Sequence, residues 1–263
     1  MATTAGFVGV LAGVLCGLLL GSVLPGAVLV VMGVLGFLLL TVGTALNFLP
    51  GAPRVAPRVI APPVRGRWSA LNSPANKVPS HGTHGYGQTF AVDLIFEPAD
   101  DSRPRFGRGP GFRPPADYPG FGRPLLAPDD GTVVSARDGA RDHLSRSSWA
   151  AFGYLMLEGV VRELFGTRFM LGNHVVLRLD DGVYALLAHL RHGSVAAAPG
   201  QRVARGQEIG QCGNSGNSSE PHVHVQLMDS PRPFLAAGLP FLLEGAPALP
   251  RNEQAVTIGG EAS

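Results

Sequence analysis

Apolar and polar positions divide this chain into two unlike parts. Residues 5–49 carry no Asp, Glu, Lys, Arg or His. A bilayer core takes about 20 residues of helix, so one span would overrun it more than twofold. The stretch GSVLPG (Gly21–Gly26) falls in the middle, and Pro-Gly punctuates helices. A transmembrane helical hairpin is expected, roughly over 6–24 and 27–48, with small residues along both halves for close approach. No basic segment precedes the apolar run and no small-x-small cleavage site follows it, which disfavours a signal peptide. Leu15 before Cys16 likewise disfavours a lipoprotein.

Residues 50–66 (PGAPRVAPRVIAPPVRG) read as an extended, semi-rigid Pro-rich tether. From Trp68 the pattern changes to short β-rich runs separated by Gly, Pro, Asn and Asp. These are Thr89–Phe96, Gly131–Arg137, the run from His174 to Leu190, QEIGQCG and PHVHVQLM. Asp-Gly inside LDDGV marks a hairpin turn. No helix–strand alternation occurs, so a mostly β, antiparallel domain is expected. Residues 98–124, rich in Gly, Pro and Arg, read as a long loop. Residues 147–166 space their apolar positions as a helix does, from Trp149 to Phe165. Packing of that helix on the sheet is the expectation, with a membrane-facing helix as the alternative. The resulting division is an anchor over 1–49, a linker over 50–67, a domain over 68–232 with insertions at 98–124 and 140–170, and a tail over 233–263.

Composition adds little to the fold and more to what is excluded. The 263 residues are 45% hydrophobic and 15% charged, and the apolar excess comes from the N-terminal segment. A net charge of +2 is too small to indicate nucleic acid. The two cysteines, Cys16 and Cys212, are far apart and form no CxxC pair. Any metal site must therefore use histidine and carboxylate ligands.

Eight histidines are present, and two of them, His222 and His224, stand one residue apart in a strand. Residues i and i+2 share a face, so both imidazoles project together while Val223 and Val225 turn the other way. Asp93 is an acid in an otherwise apolar strand, where a buried carboxylate needs compensation. His81 and His84 lie in the Gly-rich SHGTHGYGQ, which can fold back over Asp93. His189 ends the apolar run VYALLAHL. His143, His174 and His192 have no marked setting and are expected at the surface. Two histidines and an aspartate make a three-ligand zinc site with an open position for water. Further histidines beside it can orient that water and move its proton.

The stretches FAVD, APDDGTVVSA, GNHVVLRLDDGVYALLAHL and GQRVARGQEIGQCGNSGNSSEPHVHVQL resemble the lysostaphin-like, or LytM-type, zinc metalloendopeptidases across residues 78–228. The resemblance implies a mostly antiparallel β fold, a Zn2+ cofactor and cleavage of peptide bonds in peptidoglycan. It implies Asp93 and His224 as metal ligands and His189 and His222 as catalytic histidines. The family's first histidine ligand sits four residues before the aspartate, where this chain has Thr89. Either His81 or His84 must replace it. The half-barrel repeat GQRVARGQEIG is also similar to biotinyl and lipoyl carrier domains, but the single lysine, Lys77, lies far outside it.

The expected protein is a membrane-anchored zinc endopeptidase whose partners are peptidoglycan peptides and membrane lipid. Its alternatives are a non-catalytic cell-wall-binding or regulatory module and a peptidase for another protein. Sidedness is contested. Arg54, Arg58, Arg65 and Arg67 after the second span favour the cytoplasmic side, whereas the substrate requires an extracytoplasmic domain.

Overall fold

The computed structural model describes residues 25–48 and 55–259. Two compact units divide the chain, Met1–Gly51 and Ala52–Ser263. In the first, α1 (Gly26–Phe48) is a 23-residue helix with no charged residue. Its window Gly26–Gly43 has a mean hydropathy of 2.5, enough by length and composition to cross a membrane. The expected partner helix over 6–24 lies outside the described residues.

The second unit is built on one antiparallel sheet of nine strands. In chain order these are β1 (Gly66–Leu71), β2 (Val92–Phe96), β3 (Gly131–Arg137), β4 (Asn173–Leu179), β5 (Tyr184–Leu190), β6 (Arg202–Val203), β7 (Val223–Met228), β8 (Gly238–Leu239) and β9 (Ala255–Ile258). Their spatial order is β6-β3-β4-β5-β7-β2-β1-β9, and β8 extends the β7 edge beyond β2. β4 and β5 form the hairpin that Asp-Gly predicts, and β7 lies between β5 and β2.

One face of the sheet carries the main core, with Trp68, Val92, Leu94, Leu177, Leu187, Val223, Val225 and Leu227 buried together. Two small ribbons contribute to it. Pro124–Leu126 pairs antiparallel with Glu208–Gln211, and Arg58–Ile60 pairs parallel with Phe241–Leu243. The segments expected as linker and tail therefore supply strands. Ile60 and Val64 are buried, and β9 closes the edge of β1. Pro-rich sequence hides this because proline lacks the donor that a ladder uses, and the pairing partners lie far along the chain.

The long loop is ordered by ion pairs. Arg103 reaches Glu97 at 3.1 Å and Glu220 at 3.0 Å, and Phe112–Arg113 pairs with Ser145–Arg146. The expected helix is α2 (Trp149–Phe165), capped by Ser148, whose Oγ accepts from the Ala151 N–H at 3.3 Å. A short helix, α3 (Thr167–Leu171), follows.

Trp68 sits at the junction of sheet and ribbons, fully buried and edge-on to Phe96 at 5.4 Å. Trp68→Ala is expected to cost about 3–5 kcal/mol, read as a lowered midpoint of urea unfolding.

Candidate metal centre

Period-two alternation puts a row of polar side chains on the sheet face opposite the main core. Val92, Leu94, Val223, Val225 and Leu227 point into the core. Asp93, His224 and Gln226 therefore share the other face. The β2–β7 register sets His224 directly across from Asp93. Their atoms meet, with His224 Nδ1 2.8 Å from Asp93 Oδ1.

His189 reaches this face by a break in the ladder. By strict alternation it would follow Ala185 and Leu187 into the core. Instead the β4–β5 register shifts, so that Asn173 faces Leu190 and His174 faces Ala188, and His189 is the extra residue. Its φ of 65° is the conformation of that bulge. Leu190 takes the core position and His189 turns towards His222 and His224, with ring centroids 4.7 and 5.8 Å away.

The third corner comes from the loop before β2. His81 Nε2 lies 3.1 Å from Asp93 Oδ2, and its ring stands 4.9 Å from that of His224. His81, Asp93 and His224 form the group whose ligand atoms lie within 4.8 Å of one another. His84 is not part of it, because its Nδ1 is engaged with Thr89 Oγ1 at 3.1 Å. Of the two candidates in SHGTHGYGQ, His81 is the one at the carboxylate. His174, expected at the surface, is buried, with Nδ1 2.8 Å from the Gly172 carbonyl.

The outer nitrogens of the histidines are held by acceptors. Gln226 donates through Nε2 to the Tyr86 carbonyl at 2.8 Å, which turns Oε1 towards His224 Nε2, also 2.8 Å away. His224 then donates from Nε2 and presents a lone pair at Nδ1. Ser80 Oγ donates to the Gln88 carbonyl and lies 3.1 Å from His81 Nδ1, so His81 presents Nε2. Two lone pairs thus face carboxylate oxygens, an arrangement that demands a cation or a proton between them. This is the pattern of a metal centre with its supporting shell, and the donor set suits a divalent ion such as Zn2+.

The other two histidines are held similarly. Nδ1 of His189 donates to the Ser215 carbonyl at 2.8 Å, and Nδ1 of His222 to the Glu220 carbonyl at 2.8 Å. The Nε2 atoms of both rings are left facing the site, and that of His222 lies 3.6 Å from Asp93 Oδ1.

Electrostatics sharpen these roles. Burial alone would raise the Asp93 carboxyl, but His81, His222 and His224 around it, with positive charge shared between ring and carboxylate, hold it well below the usual carboxylate range. Asn72 Nδ2 adds a hydrogen bond to Oδ2 at 2.9 Å. Burial, with His222 and His224 close by, pushes His189 well below its ordinary value, so this imidazole is neutral. The sequence reading missed Gln226, Asn72 and Ser80. Gln226 was accessible by the i, i+2 rule from His224, whereas the other two depend on loop conformation.

Residues 154–234 match the model of Peptidase family M23. The resemblance to the LytM-type family is borne out. Over 89 residues the chain is 35% identical to the peptidoglycan DD-endopeptidase ShyA of Vibrio cholerae serotype O1, covering 33% of this chain and 19% of that protein. The chain thus spans about a fifth of that curated relative. Among solved structures it is similar to the catalytic domain of the antimicrobial peptidase lysostaphin from Staphylococcus simulans, at 19% identity and a TM-score of 0.35, over 66% of this chain and 88% of that one. It is also similar to a zinc containing peptidase from Vibrio cholerae, at 16% identity and a TM-score of 0.29, over 56% of this chain and 48% of that one. The M23 match includes His189, His222 and His224 and stops short of His81 and Asp93. The fold brings those two against His224.

The geometry separates the two loop histidines in one measurement. His81→Ala is expected to weaken Zn2+ binding at least 100-fold by competition titration, while His84→Ala leaves it within about threefold.

Proposed function

We propose that this protein is a membrane-anchored zinc endopeptidase that hydrolyses peptide bonds of peptidoglycan. The observation that carries the reading is the convergence of His81, Asp93 and His224 on one point, with the rings of His189 and His222 beside it, each tied back through Nδ1. The match to Peptidase family M23 supports peptide-bond hydrolysis, and the relation to a peptidoglycan DD-endopeptidase supports the substrate class.

In this reading His81, Asp93 and His224 hold Zn2+. When bound, such an ion lowers the pKa of a coordinated water and polarises a carbonyl. The remaining chemistry belongs to the chain. Asp93 supplies the negative charge that offsets the ion, and Gln226 and Ser80 fix the tautomers of the two histidine ligands. His189 is neutral because it is buried, so its Nε2 lone pair is available to accept a proton. His222, its ring 4.7 Å from that of His189, presents a second Nε2 on the same side. The pair can take a proton from the attacking group and return one to the leaving amine, work worth about 10²- to 10⁴-fold in rate.

The strained backbone at His189 fits this role. A non-glycine residue at positive φ costs about 1–3 kcal/mol and persists where a side chain must be aimed. The apolar helix α1 supports the membrane anchor, and a peptidoglycan substrate requires the domain on the extracytoplasmic side.

Two variants divide the site. His224→Ala is expected to lose both stoichiometric zinc and hydrolysis of isolated peptidoglycan. His189→Ala should keep the metal, measured by inductively coupled plasma spectrometry, and lose at least 100-fold in turnover. A chain that purifies without one equivalent of zinc and binds none on titration would sink the enzymatic reading.

A further inference from the structure

Helix α2 is amphipathic in the reverse of the usual sense. A helix on a soluble domain turns its apolar stripe inward and its charges to water. Here the charged residues point inward. Glu158 meets Arg146 at 2.6 Å and Arg162 at 3.3 Å, and Glu163 Oε1 accepts from the Tyr86 hydroxyl at 2.9 Å. Ala151 and Leu155 are the helix's fully buried residues. The outward face carries no charge and includes Trp149, Met156, Leu157, Val160, Val161 and Phe165, with Trp149 77%, Leu157 69% and Phe165 68% exposed. Phe106 in the preceding loop extends it, packing edge-on against Trp149 at 5.1 Å.

We propose that this face of α2 lies in the headgroup region of the bilayer that holds the chain's own anchor. Three observations favour lipid over other occupants. The apolar face is flanked by basic residues, with exposed Arg108 beside its N-terminal end and exposed Arg168 beyond its C-terminal end. Trp149 and Phe165 give it the aromatic character of interfacial helices. Behind α2, a cavity of about 790 Å³ is lined by Arg137, Arg141, Arg162 and Arg168 against the acids Asp142 and Glu158, a setting complementary to anionic headgroups. Delivery to that surface is covalent. Nine residues, 49–57, separate Phe48, the end of α1, from Arg58, where the second unit's first strand begins. At full extension they reach at most about 35 Å. The proposal rests on the anchor reading for this delivery alone, and is independent of zinc.

The chain carries its own probe. Of its two tryptophans, Trp68 is fully buried and Trp149 is the exposed one. The full chain is reconstituted in vesicles of phosphatidylcholine and phosphatidylglycerol, with or without brominated acyl chains. The difference between wild-type and Trp149→Phe emission isolates Trp149. That emission should be blue-shifted, quenched at least twofold by the brominated lipid and protected from aqueous iodide. The double variant Leu157→Glu, Val160→Glu should reverse all three and still float with the vesicles. A chain that floats while Trp149 stays open to iodide and blind to brominated lipid overturns the proposal and leaves the anchor standing. Protection from both quenchers that fades on dilution into lipid overturns it in favour of a second copy of the chain. Failure to float overturns the anchor and the lipid contact together.

Discussion

A buried carboxylate organises the polar face of this domain's sheet. Asp93 lies in the middle of β2, in the interior of a sheet, and is held as an anion. An ionised carboxylate is expensive to remove from water unless it is paired and fully hydrogen-bonded. Compensation must come from residues that the sheet can bring to its polar face. β7 supplies His224 directly opposite, the preceding loop folds back to deliver His81, and Asn72 at the end of β1 donates to the second oxygen. The opposite face then carries the alternating apolar residues. One substitution pattern thus separates core from chemistry across the thickness of a single sheet.

Alternation by itself cannot assemble the whole site, because His189 falls on the wrong parity. The bulge at Asn173 and His174 adds one residue to β5 and inverts the facing from that point on. Leu190 goes into the core that His189 would have disrupted, and His189 joins the other imidazoles. Asn173 stabilises the irregularity by donating to the Leu190 carbonyl at 3.1 Å. The local strain is offset by core packing on one face and the histidine cluster on the other.

This explains which parts were legible beforehand. The HxH pair, the acid in an apolar strand and the Asp-Gly hairpin each follow from local periodicity, and each is where the sequence reading put it. The presence of α2 was legible from its spacing, but its facing was not. Its inward contacts are an ion pair with Arg146 and a hydrogen bond from Tyr86, which lie outside the helix and leave no trace in its own pattern. The choice between His81 and His84 also exceeded the sequence, since both occupy one Gly-rich loop and only the folded loop says which ring reaches Asp93. Short strands such as Arg58–Ile60 and β9 pair across most of the domain's length, where local propensity carries no information.

The same polar contacts join α2 to the candidate metal centre through one residue. Tyr86 uses its hydroxyl to hold Glu163 and its carbonyl to accept from Gln226. Gln226 in turn fixes His224, and His224 meets Asp93. Tyr86 can serve both ends because its backbone stands at a φ of 60°, turning the carbonyl towards β7 while the ring reaches out to the helix. A soluble helix would bury its apolar stripe and leave Glu163 in water, and this connection could not form. The reversal of α2 therefore does two things at once. It leaves an apolar face outward, and it commits the polar face to a hydrogen-bonded path ending at the buried carboxylate.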